Sequence, residues 1–181
     1  MSDSLLIEQC KQHNRKAQLA IYNKYCEGMF VVASRYMKDT AMAQDAMQDA
    51  FIKAFTKLSQ FKGDVTFGAW LKRIVINTCL DAIKAQKGFM VELNEDIAES
   101  VPLEMDHNVP DSATVQEVKN AIKKLPEKYK VVTQLFYLEG FDHGEISEAL
   151  SISEASSRTL LHRGKKILKE QLNHLQYGTG Y

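Results

Sequence analysis

Arg158, Thr159, His162, Arg163 and Lys166 lie close together in one stretch of the chain. On a helix placed in the major groove, such a set can read DNA. Arginine bridges the O6 and N7 acceptors of guanine, while lysine and the helix N-terminus neutralise phosphates. An ordinary amphipathic helix with a solvated basic face would carry the same residue types. A second set, Phe61, Lys62, Trp70, Lys72, Arg73, Asn77 and Lys84, mixes aromatic, basic and amide groups. Single-stranded nucleic acid needs that mixture: cations for the backbone, aromatic faces for stacking and an amide for a base edge. Because an aromatic stripe at helical spacing usually belongs to a core, Phe67 and Trp70 are expected mainly to pack, and Phe61 and Asn77 to function. The sequence shows no nucleophile with its base, no phosphate loop and no metal-ligand spacing, so neither catalysis nor a cofactor is expected.

The elements that must carry these residues read as helices. Glycine and proline are sparse and period-2 alternation is nearly absent. Leu19, Tyr22, Tyr25, Met29, Val32 and Tyr36 step by threes and fours along one face. Asp39 or Thr40 can cap a second helix whose apolar positions are Met47, Phe51, Ala54, Leu58 and Phe61. Lys62, Gly63 and Asp64 form a turn. A third helix then starts near Asp64 or Thr66, runs to about Gln86 and is expected to be the most buried.

Further along, Val115, Val118, Ile122 and Leu125 share a helical face. Pro126 ends that helix and is placed in the first turn of the next, which carries Val131, Val132, Leu135 and Leu138. After a turn at Gly140-Phe141, Asp142 and Glu145 suit a capping box before a short helix over Ile146 to Leu150. Ser151-Ile152 turns the chain, and Ser153 caps a long helix through Leu161, Gly164, Leu168 and Leu172. A short helix, a tight turn and a longer basic helix have the layout of a helix-turn-helix.

The chain is formally neutral, with 23 basic and 23 acidic residues among 181, but its charge is segregated. Residues 1–89 carry net +5, residues 90–117 net −8 with no Lys or Arg, and residues 118–181 net +3. Pro102 and Pro110 fall inside the acidic block, which reads as a linker between two basic helical modules. Such modules invite a polyanionic partner, although the block itself could be merely an extended, solvated spacer. The longest apolar run, Met29 to Ala33, is far too short for a membrane span. Without an apolar leader, and with Cys10, Cys26 and Cys79 forming no CxxC pair, a cytoplasmic protein with reduced thiols is expected. The tail from Tyr177 to Tyr181 is expected to fray.

Two sets of motifs resemble a known family. Asp45-Ala-Met-Gln-Asp-Ala-Phe-Ile-Lys-Ala-Phe55, Phe61-Lys-Gly-Asp64 and Phe67-Gly-Ala-Trp-Leu-Lys-Arg-Ile-Val-Ile-Asn77 resemble region 2 of extracytoplasmic-function sigma factors of bacterial RNA polymerase. Leu125-Pro-Glu-Lys-Tyr129, Glu145-Ile-Ser-Glu-Ala-Leu150 and Ile152-Ser-Glu-Ala-Ser-Ser-Arg-Thr-Leu-Leu-His-Arg163 resemble region 4. Two departures are visible. Ser151 stands where many such turns have glycine, and Ser157 stands where many have an aliphatic residue, which predicts looser packing between the two helices.

The resemblance implies an all-α chain of two domains: residues 1–89 as region 2, residues 90–111 as an acidic linker and residues 112–181 as region 4. It implies core RNA polymerase (its clamp for region 2 and its flap for region 4), double- and single-stranded promoter DNA and an anti-sigma factor as partners. Asn77 and the loop of Phe61, Lys62, Gly63 and Asp64 match residues around the extruded minus-ten base, and Lys72 and Arg73 of the basic and aromatic set are expected to bind the same element. Arg158, Thr159, His162 and Arg163 match the minus-thirty-five reading positions, with Lys166 later on the same helix expected mostly to contact phosphate, and Asp45, Gln48, Asp49 and Lys53 match the helix that binds the polymerase clamp. The linker would pass through the polymerase near the RNA exit path. A sigma factor that directs polymerase to promoters and assists opening is therefore expected, with the polymerase performing the catalysis. A free-standing helix-turn-helix regulator and a helical adaptor that binds only proteins are the alternatives.

Overall fold

The computed structural model describes residues 3–86, 88–90 and 114–177. The chain divides into two compact units, Met1–Gln86 and Lys87–Tyr181. Among the described residues all regular structure is helical. Residues 91–113, which hold most of the acidic block, and the tail after residue 177 lie outside the described residues, and with them the expectations of an extended linker and a frayed end.

The first unit contains α1 (Asp3–Lys11), α2 (Arg15–Ala33), α3 (Thr40–Thr56), a 3-10 turn (Leu58–Gln60) and α4 (Phe67–Lys84). Helix α1 was not foreseen. It buries only Leu6, Ile7 and Cys10, too few residues for a periodic signal. Its junction with α2 depends on His13 at φ +58° and on Asn14, whose side chain accepts from the amides of Lys16 and Ala17 at 3.0 and 3.2 Å. Asp3 then latches α1 to α2, accepting from Tyr25 Oη at 2.6 Å and pairing with Lys24. The hydrogen bonds from Lys24 and then Tyr25 hold the Asp3 carboxyl below its ordinary range, while burial and the Asp3 contact push the Tyr25 phenol up to about 12.

Asp39, not Thr40, caps α3 by accepting from the Met42 amide at 2.8 Å. Ala43, Ala46, Ala50 and Ala54 are all buried at helical spacing. These small side chains let neighbouring backbones approach closely, and α4 is the neighbour α3 contacts most extensively. Thr66 caps α4. Phe67, Leu71, Val75, Ile76, Cys79, Leu80 and Ile83 are buried along α4, each large apolar group contributing about 1.5–3 kcal/mol. Burial also raises the Cys79 thiol pKa to about 12, so it stays protonated. One expectation for α2 fails: Leu19 is 59% exposed, because the covered face runs instead through Ala17, Ile21, Met29 and Val32.

The second unit contains α5 (Val115–Lys123), α6 (Glu127–Tyr137), α7 (His143–Leu150) and α8 (Glu154–Tyr177). Thr114 and Glu117 form a capping box at α5, and Asp142 and Glu145 form another at α7. Val115 belongs to the first turn of α5 and is exposed, contrary to the apolar face drawn through it. Pro126 precedes α6 as its N-cap instead of lying in its first turn. The core joins Ile122 and Leu125 to Leu168 and Leu172. Gly164 permits close approach of α8 to α6: a Cβ there would lie 2.7 Å from Thr133 Oγ1 and 3.4 Å from Tyr129 Cβ.

The turn between α7 and α8 resolves both departures. Ser151 takes the left-handed conformation, φ 58° and ψ 44°, that favours glycine at a helix C-terminus. Ser157 is completely buried, and its Oγ lies 2.9 Å from His143 Nδ1. A directional polar contact thus occupies the place where an aliphatic side chain would pack.

Candidate nucleic-acid interface

In the second unit, helix α8 has two distinct sides. Ser156, Ser157, Leu160, Leu161, Gly164 and Leu168 are buried. At 3.6 residues per turn, Arg158, Thr159, His162 and Lys166 fall on the opposite side within about 100° of arc, and Arg163 lies at its edge. Arg158 and Lys166 are exposed, whereas Thr159, His162 and Arg163 are partly so. Thr159 donates to the Ala155 carbonyl at 3.0 Å, which uses its one hydroxyl proton and leaves the oxygen lone pairs to accept. Arg158 Nη2 donates to Glu154 Oε2 at 2.9 Å. The structure therefore brings the predicted readers onto one face.

Two further residues on that side escaped the sequence reading. Ala155 is exposed one turn before Arg158 and Thr159, where its methyl can meet a thymine methyl. Glu154 was read as part of a motif only, yet it holds Arg158. Neither residue type stands out in a basic helix, so only the placement of the turn reveals them.

In the first unit, Phe61 is half-buried at the end of the 3-10 turn. Its ring centroid lies 5.7 Å from Phe67 and 5.3 Å from Trp70. Phe67 in turn meets Tyr25 at 5.4 Å, so the aromatic floor is anchored in the core. As expected, Phe67 is buried, while Trp70 keeps part of its surface. Lys62, Gly63 and Asp64 are exposed in the following loop, where Gly63 at φ +86° gives the turn its glycine requirement. Asn77 and Arg73 are exposed on the side of α4 that carries Trp70, and Asn77 lies about 10 Å farther along the axis. Lys72 does not join them: it lies about 140° around α4 from Asn77.

On α3, Asp45, Gln48 and Asp49 are exposed, and Ile52, 65% exposed, projects in their midst. Within the Asp45–Phe55 motif, the aliphatic type of Ile52 gives no sign of a surface role. Asp45, Asp49 and Lys53 also line a groove of about 330 Å³ against Thr78 and Asp81 of α4. Lys53 turns into that groove, with Nζ 3.3 Å from Thr78 Oγ1 and 3.7 Å from Asp81 Oδ2.

Two helical units, one of them a helix-turn-helix with a basic outer face, define a transcription-factor architecture. The Sigma-70 region 2 family model matches residues 21–89, and the Sigma-70 region 4 model matches residues 115–168. The ECF RNA polymerase sigma factor SigW of Bacillus subtilis is 31% identical over 180 residues, covering 93% of this chain and 96% of that protein. The RNA polymerase sigma-H factor of Pseudomonas aeruginosa is 26% identical, covering 96% of this chain and 95% of its own. The chain belongs to the extracytoplasmic-function sigma factors of bacterial RNA polymerase. Among solved structures, the sigma factor RpoE of Bartonella quintana, bound to the anti-sigma factor NepR, superposes with a TM-score of 0.51 at 19% identity. That match covers 85% of this chain and 95% of the other. CnrH, bound to the cytosolic domain of CnrY, superposes with a TM-score of 0.50 at 20% identity, covering 98% and 99%. Both likenesses concern the fold. No described helix is long and apolar enough to cross a membrane.

Proposed function

We propose that the two units divide promoter recognition. Residues 112–181 bind the minus-thirty-five element through Arg158, Thr159, His162, Arg163 and Lys166, with Ala155 in the same groove. Residues 1–89 bind the minus-ten element, where the Phe61–Asp64 loop, Arg73 and Asn77 hold an unstacked base and Lys72 contacts phosphate from the far flank of α4. Asp45, Gln48, Asp49 and Lys53, with Ile52 among them, meet the polymerase clamp. The acidic linker, residues 90–111, occupies a basic channel of the polymerase, which performs the catalysis in the cytoplasm. An anti-sigma factor that covers these faces when transcription is unwanted is consistent with the complexes of the structural relatives.

The observation that carries this reading is the arc of Arg158, Thr159, His162 and Lys166 opposite the buried side of α8. Opening follows as differential binding: an extruded base stacked near Phe61 and bonded by Asn77 offsets the few kcal/mol lost on unstacking. Reconstitution with core RNA polymerase, a promoter library and nucleotides tests the proposal. Transcripts from a sequence-defined subset of promoters, dependent on this chain, are expected. Tight operator binding by the free chain, with no chain-dependent transcript, would instead establish a free-standing regulator.

A further inference from the structure

We propose that Glu154 is a positioning residue for base recognition, holding Arg158 beside the N-terminal end of α7 so that its guanidinium enters the groove in one orientation. This rests on the reading of Arg158 as a base contact. Glu154 Oε2 accepts from Arg158 Nη2 at 2.9 Å, four residues apart, with the acid N-terminal to the base, the favourable order along a helix. Its other oxygen reaches across the turn. Oε1 lies 3.6 Å from the point a Cβ would occupy on Gly144, the second residue of α7, which has no side chain in the way. Both charges act on the ring of His143, the first residue of α7, in opposite senses, which places the pair beside that helix end.

Both partners are about half exposed, 45% for Arg158 and 54% for Glu154, so their ion pair contributes little to stability. Its consequence is geometric. An unanchored arginine can reach neighbouring bases or phosphates, whereas an anchored one samples fewer orientations and loses less entropy on docking. Arginine has five N–H donors in a rigid fork, so one bond to Glu154 leaves donors for the O6 and N7 of guanine. The carboxylate also repels nearby phosphates. Glu154 therefore lowers affinity for the non-preferred sequences while raising discrimination at one base pair, a combination that a merely structural role would not produce.

Competition binding of the assembled holoenzyme to single-base variants of the minus-thirty-five element tests the proposal with Arg158→Ala, Glu154→Ala and Glu154→Gln. Arg158→Ala should abolish preference at one base pair. Glu154→Ala should reduce preference at that same pair about three- to tenfold while tightening binding to the other sequences. Glu154→Gln, which keeps an oxygen to accept from the guanidinium, should retain most of the preference. If Arg158→Ala changes no preference, the base-contact reading fails and the proposal with it. If Arg158→Ala relaxes one position and Glu154→Ala leaves that position intact, or alters a different one, the positioning role is overturned while the base-contact reading stands.

Discussion

His143 on α7 and Ser157 on α8 lock the helix-turn-helix through a polar contact, Nδ1 and Oγ lying 2.9 Å apart, while the imidazole stacks on Phe136 with centroids 5.2 Å apart. Burial, and then the Arg158 charge, hold the imidazole pKa below its ordinary 6.5, with Glu154 and Asp142 opposing. The folded unit therefore binds fewer protons than the unfolded chain just below that value. Its contribution to stability is complete above the unfolded pKa and is lost as pH falls through the depressed folded one. Thermal melts stepped from about pH 7.5 to about pH 5 should show Tm falling below about pH 6.5, and His143→Gln should flatten part of that slope. An identical slope in the variant would remove His143 from the pH response.

Ser151 pays a conformational cost. A non-glycine residue in the left-handed region is strained by roughly 1–2 kcal/mol, and this serine adopts φ 58° at the end of α7. Ser151→Gly should stabilise the unit by about 1 kcal/mol, read as a higher denaturation midpoint with an unchanged m-value. A lower midpoint would mean that the serine hydroxyl contributes more than its backbone strain costs.

Ile52 is the apolar centre of an otherwise polar face on α3. An exposed aliphatic side chain ringed by charged groups, desolvated only when a partner docks, has the character of an interface anchor. Ile52→Asp should weaken binding to core polymerase by about tenfold or more while leaving the melting temperature of the free chain nearly unchanged, because the side chain makes little use of the core. Fluorescence anisotropy of labelled chain titrated with core polymerase reads this directly. Unchanged affinity would move the clamp contact off this face.

Much of the fold was legible because its signals are local. Thr66, Asp39 and the Asp142–Glu145 pair mark helix starts within three residues of the amides they accept from. The helical character followed from periodicity in the same way, and the division into two modules from the charge-segregated, proline-containing block between them. What escaped depends on distant neighbours. Leu19 and Ile52 have core chemistry, yet among the described residues no element covers them, and α1 is too short to show a stripe. Lys72 lies only five residues before Asn77, but helical rotation sends it to another flank. Nor does the sequence around Ser157 reveal that its hydroxyl meets a histidine 14 residues earlier.

The most direct test of divided recognition is permanganate reactivity of unpaired thymines, normalised to promoter occupancy, for holoenzymes carrying wild-type chain or Asn77→Ala. Asn77 is exposed on the face of α4 that carries Trp70, while the residues proposed to read the minus-thirty-five element lie in the other unit. Asn77→Ala should leave occupancy nearly unchanged and reduce thymine reactivity per bound complex about tenfold, equivalent to roughly 1.4 kcal/mol of lost base holding. Wild-type reactivity in the variant, at equal occupancy, would contradict the account.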